Sequence, residues 1–160
     1  MNLASRLRGR VTVVGIGNPL RGDDGVGCRI VEALANDCCS GALRREAGLT
    51  VVNAEDVPEN YLGPVVDSRP DVVLLVDAVD LGTSPGASVI LESAALSGES
   101  PYTHRTSLRV TASLLERMTG AEVLLLAVQP GTLEWGFPLS DAVATSADSL
   151  TDLLREALAC

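Results

Sequence analysis

The sequence predicts an α/β fold: a three-layer α/β/α sandwich around a mostly parallel, twisted sheet of about five strands. Three observations carry that prediction. Apolar residues make up 46% of the 160 residues but aromatic residues only 2%. The core must therefore be Val, Leu, Ile and Ala, which suits a parallel sheet covered by helices on both faces. Two runs, Val72–Val76 and Val123–Val128, are continuously apolar rather than alternating, the pattern of strands buried on both sides. Strand-like and helix-like segments also alternate along the chain, the signature of repeated β-α units. A chain of this length fits one domain over residues 1–160, burying about two-thirds of its unfolded surface.

The elements follow in order. Val11-Thr12-Val13-Val14 is a β-branched run that opens a first strand to Ile16, and a glycine-rich turn leads into a helical pattern from Val26 to Leu34. Asn36 to Gly48 is polar and glycine-bearing and reads as a loop, with a frayed helix as its possible extension, and Thr50–Asn53 as a short second strand. Asp56 offers an N-cap, with Pro58 just inside it and Tyr61, Leu62, Val65 and Val66 at helical spacing. Pro70 ends that helix and Val72–Val76 is the central strand; Ser84-Pro85-Gly86 is a turn, and Ala87 to Leu91 a further strand. Residues 93–105 are small and polar and predict a mobile flap, because Ser93, Ser97, Gly98, Glu99 and Ser100 offer little apolar anchorage. A helix starting near Thr106 or Ser107 carries Leu108, Ala112, Leu115 and Met118 on one face, and Gly120 stops it. Val123–Val128 is the last strand. Ser140 then caps a helix with Val143, Ala147, Leu150 and Leu154 along its buried stripe.

Twelve basic against 21 acidic residues give a net charge of −9, which argues against nucleic acid or an anionic membrane as partner. Arg6, Arg8 and Arg10 form the one basic cluster, expected on a short mobile N-terminus. The apolar stretch after them is too short for a secretory or membrane segment. Cys28, Cys38, Cys39 and Cys160 show no Cys-x-x-Cys spacing, so reduced thiols in a cytoplasmic protein are expected.

The chemistry concentrates at the first turn, Gly15-Ile16-Gly17-Asn18-Pro19-Leu20-Arg21-Gly22-Asp23-Asp24-Gly25-Val26-Gly27. A dinucleotide fingerprint would need glycine where Leu20 stands, and a phosphate loop would need a lysine that the segment lacks. Asp23 and Asp24 would repel a phosphate. They suit either a double acidic cap on the helix that follows or a metal or catalytic role. Asp77 closes the central apolar strand, so it and the glycine turn should share the C-terminal rim of the sheet, where α/β proteins bind ligands. An acid there can also serve only to bond loop amides. His104 is the one histidine of the chain and precedes a helix. Two carboxylates and an imidazole converging on a rim would suit a divalent metal of borderline softness, such as nickel or zinc.

Gly-x-Gly-Asn-Pro-Leu-x-x-Asp-Asp-Gly-x-Gly at the first turn, Val76-Asp77-Ala78-Val79-Asp80 after the central strand and Ser100-Pro101-Tyr102-Thr103-His104 together resemble the [NiFe]-hydrogenase maturation endopeptidases. The resemblance runs from about Val11 to Leu158. Pro58-Glu59-Asn60 and Val128-Gln129-Pro130 are most similar to the formate-hydrogenlyase-type branch. It implies a peptidase that removes a short C-terminal extension from the nickel-loaded large-subunit precursor of a [NiFe] hydrogenase. The family's glycine-loop acid falls on Asp24, its strand-end acid on Asp77 and its histidine on His104. In the family these three contact nickel supplied by the substrate, and the protease at rest carries none. Zinc or cadmium could occupy the same site in a crystal.

Asp23 and Asp80 are candidates for supporting the site, or for solvated caps. With no Ser-His-Asp or Cys-His grouping to infer around His104, hydrolysis would rest on a carboxylate activating water. Nickel would act as Lewis acid or only as recognition mark. Two alternatives stand beside this reading. One is a non-proteolytic nickel- or peptide-binding chaperone on the same fold. The other is a peptidyl-tRNA hydrolase, which shares the Gly-x-Gly-Asn-Pro turn but needs a basic face and a histidine soon after it.

Overall fold

The computed structural model describes residues 3–44, 46–96 and 104–159, the side chains of 104–107 excepted. Five strands form one sheet: β1 (Val11–Ile16), β2 (Leu49–Glu55), β3 (Val72–Ala78), β4 (Ser88–Glu92) and β5 (Glu122–Val128), in the order β2-β1-β3-β5-β4. The pairs β1–β2, β1–β3 and β3–β5 are parallel, and edge strand β4 is antiparallel to β5. Chain length explains the exception. A parallel return needs a crossover of about a dozen or more residues. The β3–β4 connection, residues 79–87, is shorter than that.

Helices cover both faces, and the alternation of side chains along each strand divides the core between them. Val72, Leu74 and Val76 of β3 join Leu124 and Leu126 of β5 in one cluster. That layer is sealed by α2 (Val26–Ser40) and α5 (Asp141–Leu158), through Ile30, Leu34, Leu154 and Leu158. Val73 and Leu75 face the opposite way. They pack with Leu125 and with Leu108, Ala112 and Leu115 of α4 (His104–Thr119), and with Val65 of α3 (Leu62–Asp67). The three-layer architecture expected from the sequence is the one observed.

Four expectations are corrected. The N-terminal arginines are not on a loose tail: a short helix α1 (Leu3–Arg6) buries Leu3 and Leu7, and Arg6 pairs with Glu92, at 3.1 Å, and with Glu122. Burial of the two leucines ties the segment down. The expected loop from residue 93 begins instead as a 3-10 turn, Ser93–Leu96, with Leu96 buried in the α4 layer; residues 97–103 lie outside the described residues. Helix α4 starts at His104, earlier than its apolar periodicity indicated. At α2 the periodicity underestimated length as well, and the helix runs to Ser40 before Gly41 ends it in the left-handed conformation, φ 78°.

Candidate active site

The strand order reverses between β1 and β3: the chain leaves β1 for β2 on one side and returns to β3 on the other. At such a point the connections diverge and leave a crevice beyond the strand C-termini. A cleft of about 450 Å³ opens there, and both Asp24 and Asp77 line it. The two carboxylates that the sequence puts on one rim therefore share one cavity.

Backbone geometry places Asp24. Gly17 leaves β1 with φ 131°, and a Cβ there would lie 1.8 Å from the carbonyl oxygen of Asp24, so only glycine lets the loop fold back on itself. Inside the loop, Arg21 N–H donates to the Asn18 carbonyl and Asp24 N–H to that of Arg21. Asn18 N–H donates to Asp24 Oδ2 at 3.0 Å, and the Asn18 amide donates to Asp56 Oδ2 at 3.2 Å. Gly27 sets the depth of α2: a Cβ there would lie 2.2 Å from the Val76 carbonyl oxygen. The acid-bearing turn is thereby drawn down against the end of β3.

Asp77 is not at a solvated rim, as a strand-end acid would be expected to be; it is only 7% exposed. Burial, and next the negative charge of Asp24, push its carboxyl well above the ordinary carboxylate range, against a hydrogen bond from the Ala78 amide that works the other way. Ionising Asp77 in this pocket is costly until a positive charge arrives.

His104 is the first residue of α4, one turn ahead of Leu108, which lines the cleft. Its side chain lies outside the described residues. Among the described residues no three metal-ligating side chains come together; Asp24 and Asp77 supply two. Asp80 also lines the cleft, exposed, with Oδ1 accepting from Gly82 N–H at 3.0 Å. Cys28 sits under the glycine turn and donates from Sγ to the Gly17 carbonyl. Burial first, then Glu32, Glu55, Asp77 and Asp24, push that thiol up to about 12, which excludes it as a nucleophile at neutral pH.

Asp23 and Asp24 have opposite fates. Asp23 is fully buried and accepts four hydrogen bonds: from the amides of Gly131, Thr132 and Ser140, and from the Ser140 hydroxyl. It is neither a ligand nor a solvated cap but the anchor of the loop that follows β5. Pro130, Gly131, Thr132, Leu133 and Trp135 of that loop form a wall of the cleft that the sequence reading did not identify. Gln129 braces another wall, its Oε1 accepting from the amides of Leu81, at 2.6 Å, and Thr83. The aromatic residues were the available signal. A chain with one tryptophan and one phenylalanine carries both, Trp135 and Phe137, exposed in this loop.

Comparison with known proteins bears on the activity. The family model of hydrogenase maturation proteases matches residues 28–157. The hydrogenase 3 maturation protease of Escherichia coli K12 is 27% identical over 141 residues, covering 88% of this chain and 85% of that protein. A hydrogenase expression/formation protein of Rhodobacter capsulatus is 30% identical over 155 residues, covering 92% and 70%. The crystal structure of a [NiFe] hydrogenase maturation protease from Thermococcus kodakarensis superposes with a TM-score of 0.86 at 31% identity, covering 98% of this chain and 97% of that one. With the fold, the cleft and these likenesses together, the chain belongs to the hydrogenase maturation protease family and is a peptidase.

Proposed function

We propose that this endopeptidase removes the C-terminal extension of a nickel-loaded [NiFe]-hydrogenase large-subunit precursor, and that Asp24, Asp77 and His104 meet the nickel the substrate brings. One observation carries this reading: two carboxylates share one cleft, and burial together with the charge of Asp24 raises the cost of ionising the buried one, Asp77. Such a pair is poised for a divalent cation, which reverses the penalty on ionising Asp77. A unit charge near a divalent ion is worth about 8 kcal/mol at 4 Å for an effective dielectric near 20.

The chemistry of the residues suits hydrolysis without a covalent intermediate. One carboxylate takes a proton from water as the water oxygen attacks the peptide carbonyl, and the proton passes to the departing amide nitrogen. Nickel brought by the precursor would also favour the ionised form of Asp77, the form able to act as base, so that cleavage follows metal insertion. No described helix is long and apolar enough to cross a membrane.

The test is conversion of nickel-loaded precursor to its shortened form, followed by gel shift and mass, with nickel-free precursor alongside. Asp24→Asn, Asp77→Asn and His104→Ala should each lower the rate tenfold or more, a loss of about 1.4 kcal/mol in transition-state stabilisation. Full processing by Asp77→Asn would remove that residue from the site, and equal processing of nickel-free precursor would remove the metal from the reaction.

A further inference from the structure

The wall formed by the loop after β5 has a composition that the fold does not need. Leu20 is 66% exposed, Leu133 41%, Trp135 65% and Phe137 55%, in a chain whose core is otherwise aliphatic. Large aromatic side chains are the main anchors of recognition surfaces, and isolated ones are rarely left in water without a use. The surface is held in shape from beneath. Gly136 N–H donates to the Leu20 carbonyl at 2.8 Å, Gly22 N–H to that of Phe137 at 3.0 Å, and the Asp23 carboxylate ties down both ends of the loop.

Arg21 stands at the junction of this platform with the cleft. It is the one cation among the described residues that line the cleft, a lining that also holds Asp24, Asp56, Asp77 and Asp80. Its guanidinium carbon lies 5.5 Å from the centre of the Trp135 ring, within the range of a cation–π contact. Its Nε is buried and has no hydrogen-bond partner among the described residues. A buried guanidinium nitrogen without an acceptor is costly, and the acceptor it suits best is a carboxylate.

We propose that Leu20, Arg21, Leu133 and Trp135 form the docking platform for the extension that is cut away, with Arg21 pairing with a carboxylate in that extension and the apolar side chains packing beside it. Charge complementarity commits the occupant. The four carboxylates of the cleft and the net charge of −9 repel an acidic segment, and among the described residues lining the cleft Arg21 alone attracts it. Arg21 thereby sets the register in which the scissile bond reaches Asp24 and Asp77. The carboxylate has two sources, an acidic side chain of the extension or its own C-terminus.

The platform rests on the processing reading but is tested apart from it, by binding of a fluorescently labelled extension peptide that carries no nickel. Arg21→Gln should weaken that binding tenfold or more, with Trp135→Ala in the same direction, while Arg21→Lys restores part of it. Amidating the peptide's C-terminus, or replacing its acidic side chains by amides, should weaken binding to the unaltered protein by the same factor. Whichever change does so names the source of the carboxylate, and that peptide should bind Arg21→Gln no worse than the native peptide does. With full precursor, Arg21→Gln should raise KM tenfold with kcat within about twofold. Equal peptide affinity of Arg21→Gln and the unaltered protein overturns the proposal. So does a loss that is the same for native and neutralised peptides, which would mark Arg21 as a support of the loop. Peptide binding that depends on Arg21, with no cleavage of nickel-loaded precursor, would retain the platform and refute the processing reading.

Discussion

Replacing Asp23 and Asp24 by asparagine, one at a time, should separate support from chemistry at adjacent positions. Asp23 Oδ2 accepts from the Gly131 amide at 2.7 Å, the Thr132 amide at 3.0 Å and the Ser140 hydroxyl at 2.8 Å, while Oδ1 accepts from the Ser140 amide at 2.6 Å. Asparagine keeps the volume but has one acceptor oxygen. If that oxygen takes the place of Oδ2, its NH₂ faces the Ser140 N–H, donor against donor, in a site with no water access. One unsatisfied buried donor costs about 1–3 kcal/mol, and loss of charge assistance at the remaining bonds adds to it, for about 3 kcal/mol in total. For a chain of this size that lowers Tm by about 6–12 °C. Asp24 is half-buried and takes one backbone hydrogen bond, from Asn18, which an amide oxygen also accepts. Asp24→Asn should therefore melt within about 2 °C of the parent while losing processing. Thermal melts by circular dichroism, paired with processing of nickel-loaded precursor well below either Tm, read both effects. An Asp23→Asn protein that melts with the parent would refute the argument that this carboxylate holds the loop. Full processing by Asp24→Asn would refute its place in the site.

Asp77→Asn should change the pH dependence of stability. Asp77 prefers its protonated form when folded, so once the unfolded chain ionises above about pH 3.9, stability falls as pH rises through the raised folded value. The variant lacks that loss, so its Tm should gain on the parent's as pH rises from 4 to 8; parallel curves would contradict burial of a neutral Asp77. Gly17→Ala places a methyl 1.8 Å from the Asp24 carbonyl oxygen at φ 131°, so it should destabilise by about 2–5 kcal/mol and abolish processing. A variant that melts and processes like the parent would show that the turn does not need this conformation.

Element by element, what was legible depended on whether its cause was local. Continuous apolar runs marked β3 and β5, and glycine spacing with paired acids marked the turn after β1, because burial on both faces and left-handed backbone each leave a direct trace in residue type. The antiparallel course of β4 was not foreseen, since it follows from a connection too short to cross over rather than from the strand's own residues. Helix α4 begins at His104, ahead of its first core residue, Leu108, and periodicity cannot mark a turn that precedes the core. The N-terminal arginines looked loose because the acids that hold Arg6, Glu92 and Glu122, are distant in sequence.

The sequence by itself determined the class of fold, the rim on which the cleft opens and the two acids that line it. Those depend on hydrophobic pattern and backbone freedom, which are properties of short segments. Only the tertiary structure decided that Asp23 turns inward to hold the loop after β5 while Asp24, one residue on, opens into the cleft. It alone buried Asp77 deeply enough to raise the cost of ionising it, and brought Trp135 and Arg21 together. Desolvation, like-charge proximity and the pairing of distant groups are set by what the rest of the chain packs against a residue, and adjacent aspartates carry no local trace of it.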